Sequence, residues 1–81
     1  MGEMRGRRSV VVTFASTFDA LEAERCCGRA GVPGRLIPTP SHLSANCGLA
    51  WRLPPDAASR SAFERAVAGA VVPAAFVEVL G

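Results

Sequence analysis

An α+β domain of the ferredoxin-like type, a four-stranded antiparallel sheet with two helices on one face, is the fold this sequence predicts. Three observations point to it. The chain has 81 residues, enough for one small domain that buries about 60% of the surface its unfolded chain exposes. Its apolar residues recur with period two in three segments and with helical period in two others, and with the short strand Arg35 to Ile37 the order is βαββαβ. The breaker residues Gly31, Pro33, Pro38, Pro40, Pro54, Pro55 and Pro73 fall between those segments. This element order closes as a two-layer sandwich with a right-handed β1-α1-β2 crossover and strand 3 between strands 1 and 2.

Residues 1–8 read as a frayed, basic tail, and residues 9–81 as the folded domain. Ser9 to Phe14 is the first strand, with Val10, Val12 and Phe14 on one side and Val11 and Thr13 on the other. Ser16-Thr17-Phe18-Asp19 starts a helix in the manner of a capping box, with an acidic residue three positions after the cap. Ala20, Ala23, Cys27 and Ala30 then share a face, until Gly31 ends the helix as a left-handed cap. Arg35 to Ile37 is a short strand stopped by Pro38-Thr39-Pro40, and Ser41 to Asn46 is a polar segment with room for one helical turn. Gly48 to Leu53 alternates, with Leu49, Trp51 and Leu53 facing the core. Pro54-Pro55-Asp56 opens a second helix carrying Ala62, Phe63, Ala66, Val67 and Ala70 on one face, with Pro73 breaking it. Ala74 to Leu80 is the last strand.

Composition excludes several classes. With 49% hydrophobic residues and a net charge of +2, the chain has the balance of a folded domain. Its length leaves no room for a second domain, hence none for a deep catalytic pocket between domains. All nine basic residues are arginine, and their one dense cluster is Arg5, Arg7 and Arg8. With only five aromatics, most at core positions, this does not make a nucleic-acid surface, and no nucleic-acid partner is expected. Arg7-Arg8-Ser9-Val10-Val11 has the look of a twin-arginine export signal, but the apolar run stops by Phe14 and Asp19 and Glu22 follow. No run of about 18 apolar residues could span a membrane. The expectation is a cytoplasmic protein with reduced thiols.

The topology gathers chemistry at one end of the sheet. Strands 1 and 2 run in the same direction, so the turn at Ala15–Thr17 and the loop Pro38–Cys47 emerge together, beside the N-terminus of helix 1. Cys47 closes that loop and should meet free backbone N–H groups and a positive helix end, a setting that favours the thiolate. Roughly ten residues join strands that two to five could link, and extra loop in so small a domain points to function. Gly48 permits close approach of another backbone or molecule. Ser16, Thr17, Pro38, Pro40 and Ser44 complete the candidate site, with His42 as a proton partner for Cys47. Alternatively, Cys47 is a small apolar residue at a strand start, His42 a solvated loop residue, and Ser44 a local hydrogen-bonding group.

The remaining residues read as structural. Cys27 lies on the apolar face of helix 1 and Cys26 at its margin, so both are taken as core thiols. Cys26, Cys27, Cys47 and His42 lack the spacing of a zinc site, and neither metal nor cofactor is expected. Glu24 lies near the apolar face and either snorkels to water or, the preferred reading, pairs with Arg35 or Arg52; Trp51 should pack against a helix.

Thr13-Phe14-Ala15-Ser16-Thr17, Ala20 and Glu24, Ala30-Gly31-Val32-Pro33, Arg35-Leu36-Ile37-Pro38-Thr39-Pro40, Ser44 and Cys47-Gly48-Leu49-Ala50 together carry a resemblance. In these segments the chain resembles a family of small bacterial proteins described as selenium/sulfur carrier protein-like. The resemblance implies a small α/β domain whose characteristic cysteine corresponds to Cys47, carrying sulfur or selenium as a persulfide or selenopersulfide. It implies a carrier rather than a turnover enzyme, with a sulfur or selenium donor enzyme and an acceptor protein as partners. The family often has charged residues where this chain has Ser41 and His42. It usually has aliphatic residues where this chain has Cys26 and Cys27, which agrees with a core role for both.

Two other readings stand beside the carrier. In one, the domain is a non-catalytic binding or assembly module with a structural Cys47, forming a homodimer through the exposed sheet face with Val11 or Phe76. In the other, it is a regulatory domain that binds a small ligand at the loop end.

Overall fold

A computed structural model of the chain describes residues 8–43 and 47–80. The elements follow in the expected order: β1 (Arg8–Thr13), α1 (Thr17–Ala30), β2 (Arg35–Pro38), β3 (Leu49–Leu53), α2 (Ala57–Val67) and β4 (Ala75–Leu80). The four strands form one antiparallel sheet in the order β2-β3-β1-β4. Because β1 and β2 both run antiparallel to β3, they point the same way. This is the ferredoxin-like α+β sandwich, with β3 between β1 and β2. The first strand begins at Arg8, paired with Leu80, one residue inside the expected tail.

Local chemistry sets the helix ends. The hydroxyl of Ser16 accepts the Asp19 N–H at 3.2 Å, capping α1. Gly31, at φ 74°, turns the chain out of it, and its N–H bonds the carbonyl of Cys27. At α2 the cap is Asp56, whose carboxylate accepts the Ser59 N–H at 2.9 Å and the Ser59 hydroxyl at 2.8 Å. Those bonds hold the Asp56 carboxyl below its ordinary range.

The core lies between helices and sheet. Val12, Phe14, Trp51 and Leu53 meet Ala23 and Cys27 from α1 and Phe63 and Val67 from α2. Phe63 is the hub. Its ring stands 6.5 Å from Phe14, 6.5 Å from Trp51 and 5.9 Å, edge-on, from Phe76. Gly34 is required where β2 begins. Its φ is 123°, and a Cβ there would lie 2.5 Å from the Trp51 indole nitrogen and closer still to the Arg52 carbonyl oxygen.

Several expectations need correction. Helix α2 stops at Val67 and leaves Ala70 exposed. Gly69, at φ 81°, reverses the chain, and the N–H groups of Ala70 and Val71 bond the Val67 carbonyl. The early stop lets the Val71 side chain return to the core. Ala30, at the last helical position of α1, is exposed, whereas Cys26 is buried. Glu24 is exposed and pairs with neither arginine; the ion pairs among the described residues are Arg8–Glu78, Arg25–Glu22 and Arg60–Glu64. On α1 a carboxylate that far round the helix reaches water more easily than the sheet, so it stays solvated.

The proposed dimer surface also changes. Phe76 is the cross-strand neighbour of Val12 and packs on Phe63, which places it on the helix-covered face. Arg60 lies 4.0 Å over its ring. Val11 does belong to the other face, but it is only 1% exposed. It sits on a central strand opposite Arg52 and Val77, in a groove shared with Pro40 and His42. Neighbouring side chains cover it.

Candidate functional site

The end of β1, the start of α1 and the start of β3 converge on Cys47. Pairing of Pro38 with Leu49 closes β2 against β3, so the loop between them leaves and returns at one point. Thr39 clamps that neck twice. Its N–H donates to the Gly48 carbonyl at 2.9 Å, and its hydroxyl donates to the Cys47 carbonyl at 2.9 Å. Beyond it, the Leu43 N–H bonds the Pro40 carbonyl at 3.0 Å, a single turn at the start of the loop.

The clamp aims the Cys47 side chain at α1. The Leu49 N–H donates to its sulfur at 3.3 Å, and its thiol reaches the Thr17 hydroxyl oxygen at 3.7 Å. Thr17 is the first residue of α1, so the sulfur sits at the positive end of the helix dipole. A threonine hydroxyl can accept from a thiol or donate to a thiolate, so the same contact serves both protonation states. Cys47 is 4% exposed, packed into the margin of the core.

The other expected site residues divide. Ser16 caps the helix that carries Thr17, Pro38 ends β2, and Gly48 supplies the carbonyl held by Thr39. Pro40 and His42 turn toward the open face of the sheet, lining a groove with Val11, Ile37 and Val79. His42 is exposed there, and the hydrogen bonds of Cys47 are made to other residues. Ser44 lies outside the described residues, as do Arg5 and Arg7. Thr39 and Leu49 were not singled out from sequence. The threonine between two prolines was the available signal for Thr39; nothing in the sequence marks the amide of Leu49.

Cys26 and Cys27 are both buried. Burial, with the neighbouring Cys26, raises the Cys27 thiol from an ordinary 9.0 to about 11, which keeps it protonated and unreactive at neutral pH. Cys26, Cys27, Cys47 and His42 form no metal-binding cluster, and no group of three or more candidate ligands occurs among the described residues. No helix among them is long and apolar enough to cross a membrane.

A family model described as "Putative Se/S carrier protein-like" matches residues 9–71, from the first strand through Val71. No curated protein and no solved structure matches.

Proposed function

We propose a function from one premise: the chain belongs to the family of Se/S carrier protein-like domains. Cys47 is the carrier thiol. Its thiolate attacks the outer sulfur of a donor persulfide, the donor's thiol departs, and Cys47 is left as a persulfide. Attack on that outer sulfur by an acceptor thiol completes the handover and regenerates Cys47. A selenopersulfide follows the same steps with selenium as the outer atom. The chemistry needs one thiol and a docking surface and no enclosed pocket, in keeping with so small a domain.

The observation that carries this reading is the position of the Cys47 sulfur, which accepts the Leu49 N–H and faces Thr17 at the start of α1. Both groups stabilise the thiolate and the persulfide anion alike. Phe18 and Leu21, 74% and 48% exposed on the first turns of α1, supply an apolar surface beside Thr17 on which the donor enzyme docks. Reduced thiols are needed throughout, which suits the cytoplasm. The test is incubation with a cysteine desulfurase and cysteine, followed by mass spectrometry. Addition of one sulfur atom is expected on the wild type and none on Cys47→Ser. An adduct that persists in the variant would overturn the assignment.

The burial of Cys47 favours a second reading, in which the thiol is structural and the domain is a binding module. There the bond from Leu49 only shapes the turn into β3. Alkylation separates the two: a structural Cys47 reacts no faster than a free cysteine peptide, and a carrier thiol reacts faster.

A further inference from the structure

At the end of the sheet opposite Cys47, a cleft of about 380 Å³ opens where β1 and β2 begin and β3 ends. Arg8, Arg35 and Arg52 line it, and no carboxylate among the described residues does. Arg35 and Arg52 are direct cross-strand partners. Like charges so placed repel and destabilise the pair unless something neutralises them. The ion pairs among the described residues leave both without a carboxylate. Arg52 is held in place by its Nε, which donates to the buried hydroxyl of Ser9 at 3.1 Å. That bond leaves its two terminal nitrogens for a ligand. Arg8 does meet Glu78, at 3.5 Å, but both side chains are more than half exposed, and such pairs are weak and easily exchanged.

We propose that this cleft binds a small molecule carrying a diphosphate or triphosphate. Guanidinium forks match phosphate oxygens two at a time, and the side-by-side forks of Arg35 and Arg52 suit linked phosphate groups better than a single anion, with Arg8 at the rim of the cleft beside Glu78. The volume lies within the ordinary range for small-molecule sites, about 300–1,000 Å³. Leu53 and Pro54 form an apolar wall for the uncharged part of the ligand. The site is distinct from the Cys47 thiol and does not depend on the carrier reading.

Two-dimensional amide NMR titration of the full chain with inorganic pyrophosphate, at low salt, tests the proposal. Saturable shifts are expected at Arg35, Arg52 and Leu53, and weaker or no binding with citrate. Arg35→Gln and Arg52→Gln should each raise Kd about tenfold or more, while Arg65→Gln, on α2, should leave it unchanged. Arg52→Gln also loses the bond to Ser9, so Arg35→Gln, on an exposed position of an edge strand, is the cleaner variant. It should melt no lower than wild type without ligand, because it relieves the cross-strand repulsion. Non-saturable shifts, equal weakening by Arg65→Gln, tighter binding of citrate, or binding of single-stranded RNA without pyrophosphate would each overturn the proposal.

Discussion

The sulfur of Cys47 and the hydroxyl oxygen of Thr17 lie 3.7 Å apart although thirty residues separate them in the chain. The contact ties the β2–β3 loop to the first turn of α1. It brings the sulfur to a helix end, where the proposed carrier reading needs a thiolate to be stabilised. Replacing Thr17 with valine keeps the shape and removes the hydroxyl. Alkylation of Cys47 by iodoacetamide at neutral pH should slow by about three- to tenfold, since a hydrogen bond to a charged group contributes roughly 1.5–3 kcal/mol before water replaces part of it. An unchanged rate would mean that Thr17 does not stabilise the thiolate.

Cys27 carries a pH dependence of stability. Its thiol is raised to about 11 in the folded chain. An unfolded chain loses that proton near its ordinary value of 9.0, while the folded chain still holds it. Between those values the unfolded state binds fewer protons, so stability falls as pH rises. Urea melts at pH 8, 9, 10 and 11 should show this loss, and Cys27→Ala should flatten that part of the profile. The variant is also less stable throughout, because it empties a core position.

At the acid end the sign reverses through Asp56. Its carboxyl titrates below its ordinary value when folded, chiefly through the Ser59 hydroxyl and then the Ser59 N–H. The unfolded state therefore takes up the proton first, and the contribution is full above the ordinary carboxylate range and lost as pH falls through the depressed value. Thermal melts from pH 6 down to pH 2 should show a steeper acid loss for the wild type than for Asp56→Asn. Parallel profiles would remove Asp56 as a contributor.

Gly34 should tolerate no side chain. Gly34→Ala places a methyl group against the Trp51 indole nitrogen and the Arg52 carbonyl at a positive φ. Strain and overpacking each cost roughly 1–3 kcal/mol, so a loss of at least about 2 kcal/mol in chemical denaturation is expected. Gly28→Ala is the control, since a Cβ there meets nothing within 4 Å; its position inside α1 predicts equal or greater stability.

Element order and strand pairing were legible because they rest on local signals. Val10, Val12 and Phe14 alternate, Ser16 and Asp19 form a cap, and Gly31 ends a helix whatever surrounds it. The end of α2 was not legible: Ala70 fits the helical pattern, and only the need to return Val71 to the core turns the chain at Gly69. Glu24 misled for a related reason, since angular position on a helix does not say how near the sheet's arginines lie.

The candidate site divides along the same line. Connectivity was enough to place Cys47 at the same end of the sheet as Thr17, because the parallel direction of β1 and β2 follows from it. Which groups touch the sulfur depended on the folded chain. Leu49 acts through its backbone N–H, and Thr39 through its N–H and hydroxyl on the carbonyls of Gly48 and Cys47; such groups acquire these partners only when register and loop path are set. The same holds for Arg35 and Arg52. They are seventeen positions apart in a sequence with scattered arginines, and the β2–β3 register alone sets their charges side by side.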